Sequence, residues 1–453
     1  MRRSKADEAR ESAAYARNKG EARAQNANAE GRVPRLRFPE YRQALAWVTN
    51  KLGTFVDEIN DSNTDNENTV LTLSSENGLV IQEDYFNKRV ASKDTCRYIP
   101  IKRNDFVYND RSTTTSPFGT IKRLSKYDKG VVSPIYLAFR PRKAIDPAFL
   151  EYYFESGCHV PEMNQIVDQG ARVGRFNLTP DKFFSINLYM PEKKEQQKIA
   201  ACLSSLDDLI TVHSRKLEAL KKYKKGLMQQ LFPAEGEKVP RLRFPEFVNV
   251  GAWEEKSLSQ CILIISSGVS VNSYDSVATR QDIGVLKTSC VTNGKFIETE
   301  NKKVRESEIA RVQTNAKKNS IILSRMNTPL LVGESGYVAE EYPNLYLPDR
   351  LWMIECDESV SLTLFLSQCL LSEKTRMNLR QIATGSSASM KNISQSLFLE
   401  MRLSFPSLPE QEKIATFLSS LDDLIAAQAA KIDELKQHQR GLMQGLFPAP
   451  EEE

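Results

Sequence analysis

The sequence predicts an α+β chain. Two domains of mixed α/β structure are joined by two long helices, which form an intramolecular antiparallel coiled coil with pseudo-two-fold symmetry. Three observations predict this. A 39-residue segment occurs twice, at an offset of 215 residues. Apolar residues in both copies recur at alternating spacings of four and three. Between the copies lie long stretches in which strand-like and helical runs alternate.

In chain order, residues 1–32 are expected to form a basic, polar, poorly ordered tail rich in Ala, Arg and Glu, with no apolar stretch of the signal-peptide kind. The word VPRLRFPE then appears at Val33–Glu40 and returns at Val239–Glu246, with Trp47 and Trp253 following at equal distances. These words open the first domain, 33–190, and the second, 234–405. Strand-like runs in the first are Thr69–Leu73, Asp105–Asn109, Ser133–Arg140 and Phe183–Pro191. The second has Ser320–Ser324, Arg350–Cys356 and Leu399–Pro406. Helices are expected at Asp146–Ser156 and, as one long stretch, at Val360–Ile382. Strands mixed with helices in this way imply an α+β domain.

The repeated segments are Glu195–Pro233 and Glu410–Pro448, identical at 23 of 39 aligned positions without a gap. They fall in helical arms expected at 191–233 and 406–448. In the first arm Ile199, Leu203, Leu206, Ile210, Leu217, Leu220, Leu227 and Leu231 lie on one seam. His213 and Lys224 occupy the two polar steps. The second arm repeats the register with Ile414, Leu418, Leu421, Ile425, Ile432, Leu435, Leu442 and Leu446, and its polar steps are Gln428 and Gln439. A heptad seam sustained this long specifies a coiled coil, and Phe-Pro ends each helix because proline cannot continue the hydrogen-bond ladder. Each helix would be about 57 Å long. The first arm carries nine basic and five acidic residues, the second four and six. Opposite net charge favours pairing of the two arms over pairing of each with itself. Homodimerisation through these helices is the alternative. A short acidic tail, 449–453, closes the chain.

Composition excludes several classes. No apolar run approaches the roughly 18 residues of a membrane span. The seven cysteines are odd in number and form no CxxC pair, which argues for reduced thiols in a cytoplasm. Three histidines leave little for metal or Ser–His chemistry. There is no phosphate-binding GxxxxGK[ST] loop and no Asn/Asp-Pro-Pro-Tyr/Phe motif of an adenine methyltransferase. Asp181 followed by Glu192 and Lys194 fits a loose nuclease pattern, but Glu192 and Lys194 open the arm helix and the second half has Ser396 in place of Asp181. A net charge of +4 permits nucleic-acid binding without demonstrating it.

Two polar loops recur at matching places in the two halves. Asn109–Arg123 corresponds to Ser324–Gly336, and Gln169–Asn177 to Thr384–Asn392. Arg, Asn, Thr and Lys at loop tips suit phosphate and base-edge contacts. Candidate DNA-binding residues are therefore Arg111, Thr113, Lys122, Arg123, Arg172, Arg175 and Asn177 in the first half. In the second they are Arg325, Asn327, Ser386, Ser387, Lys391 and Asn392.

The alternation of two diverged domains with two repeated helices, carrying the words PRLRFPEF, EQQKIA/EQEKIA, SSLDDLI and GLMQ-LFP, resembles the specificity subunits of type I restriction–modification enzymes. The resemblance spans roughly 33–448. It implies two target-recognition domains, each reading one half of a bipartite asymmetric double-stranded DNA site, with the paired helices setting the spacer. It also implies docking of two modification (methyltransferase) subunits and of restriction (motor-nuclease) subunits, and no membrane partner. S-adenosylmethionine, ATP and Mg would then sit on those partners, and this chain would bind no cofactor and catalyse nothing. The alternatives are a free-standing DNA methyltransferase or endonuclease, and a coiled-coil adaptor that does not bind DNA.

Overall fold

The structure, a computed structural model, describes residues 31–448 except 89, 93, 114–115, 168–175, 177 and 386–388. The N-terminal tail and the last five residues lie outside the described set. The chain divides into two compact units. The first takes the described residues up to His213 together with those from Lys431, and the second is Ser214–Ala430. Both cuts fall inside a long helix, Lys193–Leu231 or Leu408–Leu446. Each unit therefore holds one variable domain, part of the first helix and part of the second.

In the first unit two four-stranded sheets form the domain. One runs Val56–Glu58, Leu137–Pro141, Phe106–Asn109, Thr120–Arg123, all antiparallel. The other runs Gly78–Ile81, Val70–Ser74, Lys129–Val132, Ile99–Lys102 and contains one parallel pair. Val48–Lys51 pairs with Asn187–Met190, the strand that leads into the first long helix. Helix Pro147–Glu155 is capped by Asp146, whose carboxylate accepts from the Ala148 and Phe149 amides. It buries Phe149, Leu150, Tyr152, Tyr153 and Phe154. Trp47 packs edge-on against Phe149 and Phe447 in the centre of this core. Ile199, Leu203 and Leu446 join the same core, so both long helices are part of the domain's hydrophobic interior.

The second unit is built on a six-stranded sheet of order Ile262–Ser267, Leu351–Cys356, Ser320–Ser324, Ser335–Val338, Gly294–Phe296, Val291–Thr292. A four-stranded sheet of Asn301–Lys303, Gly284–Leu286, Tyr342–Tyr346 and Asn315–Ala316 accompanies it. Every residue of Ser320–Ser324 is buried, as a central strand demands. Trp253, Phe365, Phe398 and Phe405 form one core with Leu227, Leu231, Ile414, Leu418 and Leu421 of the two helices.

Four local expectations are corrected. The strand expected over Ser133–Arg140 begins only at Leu137, after a turn closed by the Tyr136 amide on the Ser133 carbonyl. Phe183 and Phe184 close a short helix, Pro180–Phe184, capped by Thr179, and the strand begins only at Asn187. Leu399 and Glu400 likewise end a helix before the strand Arg402–Phe405. The stretch expected as one helix over Val360–Ile382 is two, Thr363–Leu371 and Glu373–Ile382. Ser372 breaks it by adopting an extended backbone and capping the second helix with its hydroxyl on the Thr375 amide.

The heptad register is visible as burial. Ile199, Leu206, Ile414, Leu421 and Ile432 are buried, and Ile210, Leu217, Leu220, Ile425 and Leu435 are half-buried. The polar steps are occupied too. Lys224, only 9% exposed, reaches both oxygens of Asp422 at 2.6 Å in the second unit. In the first, Gln439 donates to Asp207 at 2.8 Å. Asp207 and Asp422 are the same residue of the repeated SSLDDLI word. Each also accepts from its own domain, from the Tyr152 hydroxyl in one case and from the Gln368 amide at 3.4 Å in the other.

The other repeated words lock to each other. Arg37 of VPRLRFPE makes two parallel 2.7 Å bonds to Glu195, which opens the first helical repeat. Arg243 does the same with Glu410. Glu40 and Glu246 then pair with Lys198 and Lys413, each at 3.2 Å. Bidentate geometry of this kind combines charge with orientation, and it clamps the entry segment of each domain onto its helix.

Candidate nucleic-acid interface

In the second unit the two predicted loops meet. Met326–Asn327 pairs antiparallel with Lys391–Asn392, with Met326 opposite Asn392 and Asn327 opposite Lys391. Thr384 bridges Asn392 in turn. The buried strand Ser320–Ser324 delivers the chain to this point. The Ser324 carbonyl accepts from Gly333 and its amide donates to Glu334, closing the intervening loop at its base. Gly333 has φ +82°, a left-handed conformation that glycine adopts without strain. Asn327 holds the loop from within, donating to the Ser324 hydroxyl at 3.1 Å and accepting from the Thr328 amide at 2.8 Å.

Arg325 is braced. Its Nε donates to the Asp349 carbonyl at 2.8 Å, and its guanidinium lies 5.8 Å from the Trp352 ring centroid. Lys391 donates to the Gly385 carbonyl at 3.2 Å. The Asn392 side-chain oxygen is buried and accepts no hydrogen bond, an unmet acceptor beside the ladder. Ser386 and Ser387 lie outside the described residues.

Sequence reasoning missed one contributor here, helix Glu373–Ile382. Arg376 on this helix pairs with the buried Glu334. Arg380 is exposed and donates to the Leu330 carbonyl at 2.9 Å, with no acidic partner among the described residues. The signal was present in the sequence. From Lys374 to Leu399 there are four basic residues and no acidic one, and 324–333 adds Arg325 and again no acid. Arg376 is neutralised by Glu334, whereas Arg325, Arg380 and Lys391 meet only carbonyl acceptors among the described residues and keep their positive charge uncompensated.

The first unit repeats the juxtaposition at equivalent positions. The Phe176 amide donates to the Asp110 carbonyl at 3.4 Å, and Phe176 stacks on Phe118 at 6.1 Å. Arg111 is exposed, with no side-chain partner among the described residues. Thr113 forms a tight turn with Ser116, their backbones exchanging bonds of 3.1 and 3.2 Å. Lys122 and Arg123 are engaged inside the domain. Lys122 pairs with Glu155 at 2.8 Å, and Arg123 with Glu151 at 2.8 Å and with the Asn104 oxygen at 3.0 Å. They fasten their strand to helix Pro147–Glu155, whose Glu151 carboxyl is pushed up by burial. Arg172, Arg175 and Asn177 lie outside the described residues.

Beside this loop is a cleft of about 360 Å³ lined by Ser116, Phe118, Thr120, Lys122, Glu155 and His159 among others. The His159 Nδ1 is sealed from solvent without a partner. Burial pulls its pKa down to about 4, so the ring is neutral near pH 7. Among the described residues no group of three or more His, Cys, Asp or Glu side chains is arranged to hold a metal ion. No helix among them is long and apolar enough to cross a membrane.

Two units of mixed structure, each bringing the same pair of polar loops together and each seated on the same two helices, define a duplicated recognition module. Comparison with known proteins names it. The family model for the type I restriction–modification DNA specificity domain matches residues 93–222 and 252–437. The chain belongs to that family, whose members are DNA-recognition subunits without catalytic activity. It is 24% identical over 374 residues to the MjaVIII specificity subunit of Methanocaldococcus jannaschii, an alignment covering 81% of this chain and 84% of that one. It is 25% identical over 195 residues to the HindI specificity subunit of Haemophilus influenzae, covering 43% and 40%. The fold matches the crystal structure of a type I restriction–modification S subunit from M. genitalium with a TM-score of 0.58. That match covers 92% of this chain and all of the other, at 14% identity.

Proposed function

We propose that each unit reads one half of a bipartite, asymmetric double-stranded DNA target. The observation that carries this is the loop pair. Segments about 65 residues apart in sequence are brought together in both units, at positions related by the same 215-residue offset. Arg111, Thr113, Arg325 and Lys391 supply the donors and acceptors, while Asn327 and Asn392 shape the ladder that presents them. The long helices set the number of unread base pairs between the halves and dock two modification subunits. Those partners bring S-adenosylmethionine, and restriction subunits bring ATP and Mg-dependent cleavage. The assembly works in the cytoplasm.

The test exchanges residues 47–190 for the matching segment of a relative, leaving both long helices untouched. Methylome sequencing of the host should show one half of the methylated site replaced, with the other half and the spacer retained. A hybrid in which both halves change, or the spacer alters, would refute independent reading. An assembled complex that retains no specific sequence from a DNA library would point to the adaptor without DNA binding.

A further inference from the structure

Leu330 stands out on the second unit's loop. The residue is 74% exposed, beside Leu331 at 45%. A lone exposed leucine needs no explanation, but this one is held in place. The Leu331 and Val332 amides both donate to the Thr328 carbonyl, at 3.0 and 2.9 Å, winding the loop into a tight turn. Val332 is buried in the core directly beyond it. Arg380 grips the Leu330 carbonyl itself. The backbone is fixed while the apolar side chain projects into water. This costs hydration free energy continuously, and only contact with another apolar group relieves it.

The surroundings restrict what that group is. Leu330 sits within the acid-free stretch, gripped by Arg380 and close in sequence to Arg325 and Asn327, whose ladder partner is Lys391. Such a basic rim favours a polyanion over a neutral apolar surface. The apolar feature that a DNA major groove offers is the C5-methyl group of thymine.

We propose that Leu330 is a specificity-determining residue that packs against a thymine methyl group in the half-site read by the second unit. The inference rests on the DNA-reading function proposed above and adds one base to it. At the offset position the first unit has the polar run Thr113-Thr114-Thr115-Ser116. A leucine at this place is therefore particular to the second unit's loop.

The experiment uses the complete complex with its modification subunits and a duplex carrying the methylated target. Each thymine of the second half-site is replaced singly by deoxyuridine, which removes only the methyl. For the wild type, one position should lose about fourfold in affinity, the yield of burying one methyl group. In Leu330→Ala the normal duplex should bind about as weakly as the deoxyuridine duplex binds wild type, with no further loss at that position. Three results would overturn the proposal: no sensitive thymine in that half-site, sensitivity that persists undiminished in Leu330→Ala, or a second half-site without thymine. Each is read with specific binding intact. Loss of all sequence preference by the wild-type complex would instead overturn the DNA-reading function.

Discussion

The Arg243–Glu410 pair gives a prediction whose size follows from geometry. Glu410 has no solvent exposure, and the Arg243 side chain keeps only 6%. Two charge-assisted bonds of 2.7 Å join them, and the guanidinium also donates to the carbonyls of Val250 and Gly251. Arg243→Ala leaves a carboxylate buried with no cation and frees two carbonyls. Breaking a buried pair from one side costs about 3–5 kcal/mol, mostly the desolvation of the stranded charge. The loss should appear as a lower urea midpoint followed by the fluorescence of Trp253 and Trp352, both in this unit. Replacing both partners, Arg243→Met with Glu410→Leu, removes the stranded charge and should recover most of the stability. Arg243→Lys keeps the charge without the planar fork and should fall between. A single Arg243→Ala variant within about 1 kcal/mol of wild type would refute the view that this pair clamps the domain onto its helix.

Two further predictions concern the first unit. Leu206 is 9% exposed in the helical seam. Leu206→Asp puts an unpaired carboxylate there at several kcal/mol and should abolish assembly and methylation together, as read by co-purification of the complex and by methyl transfer. His159, with its pKa drawn down to about 4 in the fold, is neutral when folded but takes up a proton when unfolded below about 6.5. Its contribution is fully present above about pH 6.5 and declines as the pH falls toward 4, by about 2 kcal/mol at pH 5. Urea titrations near pH 7.5 and pH 5 should show this loss in wild type and a smaller one in His159→Phe.

The legible and illegible parts of the sequence separate along a physical line. The seam of the long helices could be read because burial on a helix imposes a periodicity, and Leu203 or Leu418 shows it without knowledge of any partner. The meeting of the loops around Asp110 and Phe176, or Arg325 and Lys391, could be expected from the repeat as a region. Roles within the region could not. Lys122 and Arg123 look like any basic loop-end residues until Glu155 and Glu151 are found facing them from a helix about 30 residues on. The lock between Arg37 and Glu195 spans 158 residues, and composition carries no trace of which charge meets which. The helix break at Ser372 was missed because the apolar pattern runs on through it while a single hydroxyl stops the ladder.

The aspartate of the repeated SSLDDLI word has one further consequence, for how such genes change. Asp207 and Asp422 each face two ways, toward the opposite helix and toward their own domain, and on the domain side they meet different donors, a tyrosine hydroxyl and a glutamine amide. The socket is therefore permissive about the chemistry of the donor it meets. A recognition domain of different sequence can still meet this aspartate, given a hydrogen-bond donor on the facing helix and apolar residues to cover the helical positions that enter its core. The duplicated word thus acts as a standard fitting, one residue type serving two domains of different sequence.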